Sequence, residues 1–334
     1  MDKRVKTTGC DNKKNVAVTI GDPGGIGPEI AISLFNHNIC QKCNLILIGN
    51  INIFNQAKKI LSVKQDIKEI KNISEFSQNK INVINIETVD KITLKQTSAA
   101  NGKLAFKSIK TAIKLAKNGA VQAIVTSPIS KEGLKLAGID FPGHTEILAK
   151  FTRTDKYRML FVSKFFNVLL HTIHIPLKDV SFAIKKIDLE ETILIGIDFC
   201  KKYLKKEKPL IFVSGLNPHA GENGKIGLEE KDYILPIIEN LKNHNIKGPF
   251  PPDTIFFKAL HEKPDLIIAM YHDQGLIPLK LLDFHGAVNV TLGIPFVRTS
   301  PDHGTAFDIA WKGIANNQSM LNAVKLAIKF AQKK

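Results

Sequence analysis

The sequence predicts an α/β protein, a wound α/β/α sheet in two lobes, and three observations support this prediction. Short apolar runs, of the length expected for buried strands of a parallel sheet, recur along the chain. Segments with a helical period lie between them, as in strands that helices connect in parallel. A length of 334 residues with 44% hydrophobic content is enough for one large core or two linked ones, and we expect two.

The first half of the chain shows the alternation of strand and helix clearly. Residues 16–20 predict a strand, and Pro28 predicts the first turn of a helix over residues 29–35. A later helix is predicted to end at Gly119, a residue suited to the position after a helix. The other predicted elements are strands at residues 45–48, 81–86 and 123–127 and a helix at 103–118.

The second half continues this alternation. Thr145 is a candidate N-cap for a helix over residues 146–151, which would place His144 beside a positive helix end suited to phosphate or carboxylate. A chance histidine beside an ordinary cap explains the pattern equally well. Further predicted elements are strands at residues 166–170, 209–214 and 265–270 and an amphipathic helix at 188–206.

The predicted organisation has three parts. Residues 1–14 form a polar, basic leader, residues 15–135 with 291–334 form the first lobe, and residues 136–290 form the second. We expect the second lobe to carry metal and dimer contacts, and the active site to lie in the cleft between the lobes.

Composition argues against several classes of protein. The net charge of +16 comes from 47 basic and 31 acidic residues, but the lysines are scattered and accompany no nucleic-acid-binding motif. No apolar run reaches the roughly 18 residues of a membrane helix, and the leader lacks the apolar core of a secretory signal. With only four cysteines, and Cys40 and Cys43 as an isolated CxxC pair, we expect a soluble cytoplasmic protein.

Two patterns point to chemistry. Residues 21–29 read GDPGGIGPE, a glycine-rich turn between strand and helix that could hold phosphate, although the spacing is not GxGxxG. His174, His219 and His272 each follow a predicted strand. Imidazoles bind Zn²⁺, Co²⁺ or Mn²⁺, and three of them leave coordination positions open for a substrate, so an open, catalytic metal site is predicted.

The motifs, taken together, resemble the 4-hydroxythreonine-4-phosphate dehydrogenase family of pyridoxal phosphate biosynthesis. The resemblance covers nearly the whole chain after the leader. It is carried by GDPGGIGPE at 21–29, GHTE at 143–146, HIPL at 174–177, NPHAGE at 217–222, PDT at 252–254 and YHDQG at 271–275. The family implies the fold of the isocitrate and isopropylmalate dehydrogenases.

The resemblance also implies roles for individual residues. A divalent metal (Zn, Mg or Co) would be held by His174, His219 and His272, with His174 supplied across a homodimer interface. The phosphorylated substrate would be held by His144, Thr145, Lys280, Asn289 and Arg298. Residues 303–316, HGTAFDIAWKGIAN, look like an adenosine-binding loop, in which the cofactor contacts would be His303, Gly304, Thr305 and Asp308.

The expected reaction is the NAD-dependent oxidation of 4-phosphooxy-L-threonine, with NADP as a possible substitute, followed by decarboxylation of the β-keto acid. The general base is left open among Asp253, Lys280 and a metal-bound water. Alternatives are the same chemistry on a phosphorylated threonate or erythronate, a metal-dependent hydrolase, or a phosphate acyltransferase. Trp311 stands where a glycine is common in the related loop.

Overall fold

A computed structural model describes residues 13–88 and 90–333, so nearly all of the predicted leader, with Cys10, lies outside the described residues. The described strands form one large sheet with helices on both faces. The strands are β1 Asn15–Thr19, β2 Asn44–Gly49, β3 Ile67–Glu69, β4 Ile81–Asn85, β5 Ala123–Thr126, β6 Arg158–Val162, β7 Asn167–Leu170, β8 Ile211–Ser214, β9 Ile246–Phe250, β10 Leu266–Ala269, β11 Val288–Leu292 and β12 Val297–Pro301.

The α-helices lie between these strands along most of the chain, which confirms the predicted wound α/β class. None of the described helices is both long and apolar enough to cross a membrane. The helices are α1 Gly27–Ser33, α2 Ile51–Ile60, α3 Ala99–Lys117, α4 Lys131–Leu136, α5 His144–Thr152, α6 Val180–Lys186, α7 Leu189–Phe199, α8 Leu235–Asn240, α9 Ile255–Glu262, α10 His272–Asp283 and α11 Gln318–Ala331.

The sheet is mixed, whereas the sequence predicted a parallel one. Its order is β3-β4-β2-β1-β5-β12-β11-β6-β7-β10-β8-β9. The central pairs β12–β11, β11–β6 and β6–β7 are antiparallel, and the outer pairs are parallel. The physical reason is loop length, since four residues join β6 to β7 and another four join β11 to β12. Such short connections permit only antiparallel neighbours.

Hydrophobic side chains pack against both faces of the sheet. In β1, Val16, Ala17 and Val18 are all fully buried, which requires covering layers above and below the strand. One core cluster includes Val16 and Val18 and runs along one face, and a second includes Ala17 on the opposite face of the same strand. A third cluster covers that opposite face around β7 and β10.

The two predicted lobes correspond to the two ends of this continuous sheet. Strands β1–β5 and β12 occupy one half, and β6–β11 occupy the other. The halves meet at the hydrogen-bonded pair β12–β11, so backbone pairing joins them directly. The division into two lobes stays a prediction.

One predicted helix is shorter than expected. The segment 188–206 was predicted as a single helix, but α7 ends at Phe199 and a π-helical turn follows over Cys200–Leu204. Lys205 then adopts a left-handed conformation with φ of 60°. Such a residue ends helices because its backbone turns the chain out of the helical path.

Candidate active site

A cavity of about 350 Å³ lies over the central antiparallel strands of the sheet. Asn289 of β11 is paired in register with Phe161 of β6 and Ser300 of β12, and all three line the cavity. A larger cavity of about 420 Å³ lies between α7 and β11, but its lining has no buried polar atom without a partner. We therefore place the candidate active site in the smaller cavity, called the cleft below.

Arg298 of β12 is the buried cation of the cleft. Its side chain is 2% exposed, and its guanidinium donates to Thr126 Oγ1 at 2.7 and 3.2 Å and to Thr291 Oγ1 at 3.0 Å. Burial lowers the pKa of Arg298 to about 10, against the opposing charge of Glu146. The group is therefore still charged at neutral pH, although its hydrogen-bond partners are neutral hydroxyls. A buried cation without an ion pair is costly unless an anion joins it.

Four buried polar atoms in the cleft have no hydrogen-bond partner among the described residues. They are His144 Nε2, Asn289 Oδ1, Asp302 Oδ2 and His303 Nε2. Burial, as the largest cause, lowers the pKa of both His144 and His303, so both imidazoles are neutral at pH 7. Most buried polar atoms in folded proteins are paired. This concentration of unpaired atoms indicates a site built for a polar ligand.

The segment that carries His144 differs from its predicted form. Thr145 was predicted as the N-cap of α5, but the helix begins at His144 and its N-cap is Gly143, which has no capping side chain. Thr145 is instead a buried residue of the first turn. The prediction was wrong because His144, between the glycine and the threonine, adopts helical geometry itself. Both residues still line the cleft, together with Arg298.

Lys280 reaches the rim of the cleft from the last turn of α10. Its ammonium lies 3.0 Å from Asp302 Oδ2, although the angles are not those of a hydrogen bond. We treat the contact as an ion pair, because charge attraction depends weakly on angle. Asp302 lines the cleft, and Lys280 itself lies outside the lining.

His174 and His272 face each other at one end of the cleft, with ring centroids 5.7 Å apart. Burial, with the charges of Lys131 and His272, lowers the pKa of His174 and so favours the neutral imidazole that binds metals. His272 Nδ1 lies 2.6 Å from Asp273 Oδ1, which leaves Nε2 as the available donor atom. These two residues fit part of a divalent metal site.

His219 and Asp253 lie apart from this pair. Both are exposed, and neither lines the cleft. His219 follows β8 in a turn whose residues 219–223 all have positive φ, and Asp253 follows the neighbouring strand β9. Among the described residues no group of three His, Cys, Asp or Glu side chains is arranged to hold a metal. The strands β7, β10 and β8, which precede the three histidines, are nevertheless parallel neighbours.

The glycine-rich segment 21–29 supports the loop 303–313. Glu29, 1% exposed, accepts hydrogen bonds from Trp311 N at 2.6 Å and Gly313 N at 2.8 Å. Trp311 Nε1 donates to Pro23 O at 3.0 Å, and Ile26 N donates to Thr305 O at 2.9 Å. The segment therefore acts here as a scaffold for another loop, in addition to the phosphate role that the sequence left open.

The family resemblance implies a glycine where this chain has Trp311, and the loop conformation gives a physical reason for it. Trp311 has a φ of +63°, a left-handed conformation that glycine adopts most readily. In this chain burial of the indole and its two hydrogen bonds offset the strain. Of the predicted cofactor residues, Gly304 and Asp308 are exposed, and a Cβ added at Gly304 would meet no atom within 4 Å.

Sequence reasoning missed three charged residues of the cleft. Lys131, Glu146 and Asp302 all line it. Glu146 lies in the GHTE motif and Asp302 precedes the 303–316 loop, so adjacency to those motifs was the available signal. Lys131 had no such signal beyond its position shortly after the predicted strand that ends at Ser127.

Comparison with known proteins gives a consistent result. The model of the family described as pyridoxal phosphate biosynthetic protein PdxA matches residues 41–327. A 4-hydroxythreonine-4-phosphate dehydrogenase of Aquifex aeolicus is 42% identical over 316 residues, covering 94% of this chain and 97% of its own. A D-threonate 4-phosphate dehydrogenase of Salmonella typhimurium is 41% identical over 325 residues, covering 95% and 99%. The crystal structure of a Klebsiella pneumoniae 4-hydroxythreonine-4-phosphate dehydrogenase has a TM-score of 0.85 at 40% identity, covering 96% and 99%.

We predict that Glu29→Gln destabilises the loop 303–313. A glutamine oxygen can accept from one of the two backbone N–H groups, but its amide then faces the other, which costs about 1–3 kcal/mol. Urea unfolding should show this loss, and fluorescence of Trp311, the chain's single tryptophan, should shift to longer wavelength. The control is Glu69→Gln on the exposed end of β3. Unchanged stability and emission in Glu29→Gln would contradict the prediction.

Proposed function

The chain belongs to the family of pyridoxal phosphate biosynthetic protein PdxA, and on that premise we propose that it is an NAD-dependent 4-hydroxythreonine-4-phosphate dehydrogenase. The proposed reaction oxidises 4-phosphooxy-L-threonine to 2-amino-3-oxo-4-phosphooxybutanoate. Loss of CO₂ then gives 3-amino-2-oxopropyl phosphate. The three described thiols, Cys40, Cys43 and Cys200, are free, in keeping with a cytoplasmic enzyme.

The observation that carries this proposal is the buried Arg298 without an ion pair. A phosphate or carboxylate would supply the missing negative charge, and the planar guanidinium favours such anions. We assign the substrate phosphate to Arg298 together with His144, Thr145, Asn289 and Lys280. Both His144 and Asn289 line the cleft, and His144 Nε2 has no partner among the described residues. An amide oxygen only accepts hydrogen bonds, so Asn289 would contact the phosphate through its Nδ2 amino group and not through Oδ1.

We propose that a divalent metal is held by His174, His219 and His272. Such a cation would lower the pKa of the substrate hydroxyl and stabilise negative charge on its oxygen. The sequence assigned His174 to the neighbouring subunit. The close approach of His174 and His272 within one chain favours His219 as the ligand that crosses instead. Asp253 is exposed and follows β9, the neighbour of the strand that precedes His219. It would come from the same subunit as His219 and act as the proton acceptor.

We propose a homodimer for two reasons. A metal ligand that crosses between subunits requires a second chain, and apolar side chains are exposed on α10. Ile277 and Leu281 on α10 are 67% and 84% exposed, and Phe284 after its end is 63% exposed. Spaced by four and three residues, they share one face of the helix that begins at His272. Exposed apolar patches of this kind are typical of protein interfaces.

The nicotinamide cofactor is assigned to residues 303–308. A bound nicotinamide would accept the hydride that leaves the hydroxyl-bearing carbon. Gly304 leaves open space beside the backbone, and the exposed carboxylate of Asp308 is suited to a ribose diol. Lys280, with its charge paired to Asp302, would orient the phosphorylated end of the substrate below the cofactor loop.

A second candidate substrate is D-threonate 4-phosphate, after the name of the Salmonella typhimurium relative. It differs from 4-phosphooxy-L-threonine at the second carbon, where a hydroxyl replaces the amine. A metal-dependent hydrolase has weaker support, because it does not explain an adenosine-type loop. A phosphate acyltransferase, whose coenzyme A substrate carries an adenosine, has weaker support because relatives of this chain at 42% and 41% identity bear dehydrogenase names.

We predict that the protein reduces NAD only with a phosphorylated hydroxy acid and a divalent cation. Absorbance of NADH is followed with 4-phosphooxy-L-threonine or D-threonate 4-phosphate, before and after exhaustive chelation. His272→Ala should lose at least about 100-fold in kcat/KM, a typical effect of disturbing a metal site. The exposed His261→Ala is the control. Full activity after chelation would exclude a metal requirement.

We predict a preference for NAD over NADP. The Asp308 carboxylate accepts hydrogen bonds from a ribose diol and repels the 2′-phosphate of NADP. Asp308→Asn should therefore lower the ratio of kcat/KM with NAD to kcat/KM with NADP, chiefly by raising the value with NADP. A wild-type ratio in favour of NADP would overturn the assignment of Asp308.

We predict that pairs of inactive variants complement each other in a way that identifies the crossing histidine. If His219 crosses, a heterodimer of His219→Ala and His272→Ala chains contains one intact site and one doubly defective site. Activity should then return to about half the wild-type value, by the symmetry of an isologous pair. A heterodimer of His174→Ala and His272→Ala chains should stay inactive.

The opposite result, with activity only in the second pairing, would assign the crossing ligand to His174. Inactivity of both pairings, in heterodimers verified by mass, would show that no histidine crosses.

A further inference from the structure

The cationic side chains in and around the cleft differ in their hydrogen bonds and ion pairs. Arg298 donates to two threonine hydroxyls, and Lys280 is paired with Asp302. Lys131 also lines the cleft, as the first residue of α4. Within residues 13–88 and 90–333, the Lys131 ammonium has no ion pair and no side-chain hydrogen bond. It is therefore the cation of the cleft that remains available to a ligand.

Lys131 and Arg298 belong to different elements of the cleft. Arg298 is a buried residue of β12 at the centre of the sheet, whereas Lys131 is an exposed residue at the start of α4. The lining that they share also contains the facing imidazoles of His174 and His272 and the side chain of Glu146. The cleft therefore offers an anionic ligand two cations, one buried and one exposed.

The local structure holds the Lys131 backbone in place. The Ser130 hydroxyl caps α4 by accepting from Gly133 N at 3.0 Å. Gly133 packs closely against Gly102 of α3, where an added Cβ at Gly102 would lie 2.0 Å from Gly133 O. The side chain remains exposed while its backbone is fixed between α3 and the cleft. The fixed backbone sets the point from which the Lys131 ammonium reaches into the cleft, while the side chain itself still loses rotamer freedom when it binds a ligand.

The proposed substrate carries two anionic groups, a phosphate and a carboxylate, at opposite ends of a four-carbon chain. We propose that Lys131 binds the substrate carboxylate in the cleft that it lines together with Arg298, His174 and His272. This assignment rests on the proposed function and adds a residue to it. The carbon that is oxidised lies between the two anionic ends, so contacts at both ends fix its position.

The test compares two substrates that differ only in the carboxylate. The first is 4-phosphooxy-L-threonine, and the second is 3-amino-2-hydroxypropyl phosphate, in which a hydrogen replaces the carboxylate. Lys131→Met should lower kcat/KM for the first roughly 10- to 100-fold, the usual range for a lost charged hydrogen bond, and should leave the second within about twofold. Lys131→Arg should recover part of the loss. Lys135→Met, one turn later on α4, is the matched control.

Binding of both compounds is also measured by calorimetry without cofactor, so that the result does not depend on turnover alone. An equal loss for both substrates in Lys131→Met, or no loss for either, would overturn the carboxylate assignment. A wild-type protein that neither binds nor oxidises 4-phosphooxy-L-threonine would refute the proposed function itself, and the assignment with it.

Discussion

The buried charge of Arg298 is the constraint on which the arrangement of the cleft depends. A guanidinium that is 2% exposed has lost its water, and among the described residues it donates to Thr126 and Thr291 and forms no ion pair. The fold offsets part of this cost because the two threonines lie on β5 and β11, the two strands that pair with β12. The neutral imidazoles of His144 and His303 and the unpaired Asn289 Oδ1 lie in the same cleft as this cation.

The change of strand direction at the centre of the sheet creates the surface for this site. Short hairpins reverse the chain at β6–β7 and β11–β12, so the alternating side chains of three antiparallel strands face a common cavity. Because β12 and β7 run in opposite directions, the loops that follow them leave opposite edges of the sheet. His174 and His272 arrive after β7 and β10, whereas His303 follows β12.

Two regions distant in sequence, the segment 21–29 and the loop 303–313, hold each other in shape. Glu29 fixes the backbone of residues 311 and 313, and Trp311 contacts Pro23 in return. The buried carboxylate is satisfied by backbone N–H groups that would otherwise be unpaired in a left-handed turn. A tryptophan is tolerated at a position that favours glycine because its indole is buried and hydrogen-bonded.

By itself the sequence determined the wound α/β class, most strand positions and the family, because strand hydrophobicity and motif spacing are local properties. The segments 16–20, 123–127 and 265–270 were placed within one or two residues. Tertiary structure decided the mixed sheet, the N-cap of α5, the role of Glu29 and the presence of Lys131 in the cleft. Each depends on contacts between segments that are distant in the sequence, and these contacts join residues up to 288 positions apart. For the same reason His174 and His272 face each other within one chain, whereas His219 lies on the surface. The sequence could not show this difference, because each of the three histidines simply follows a predicted strand.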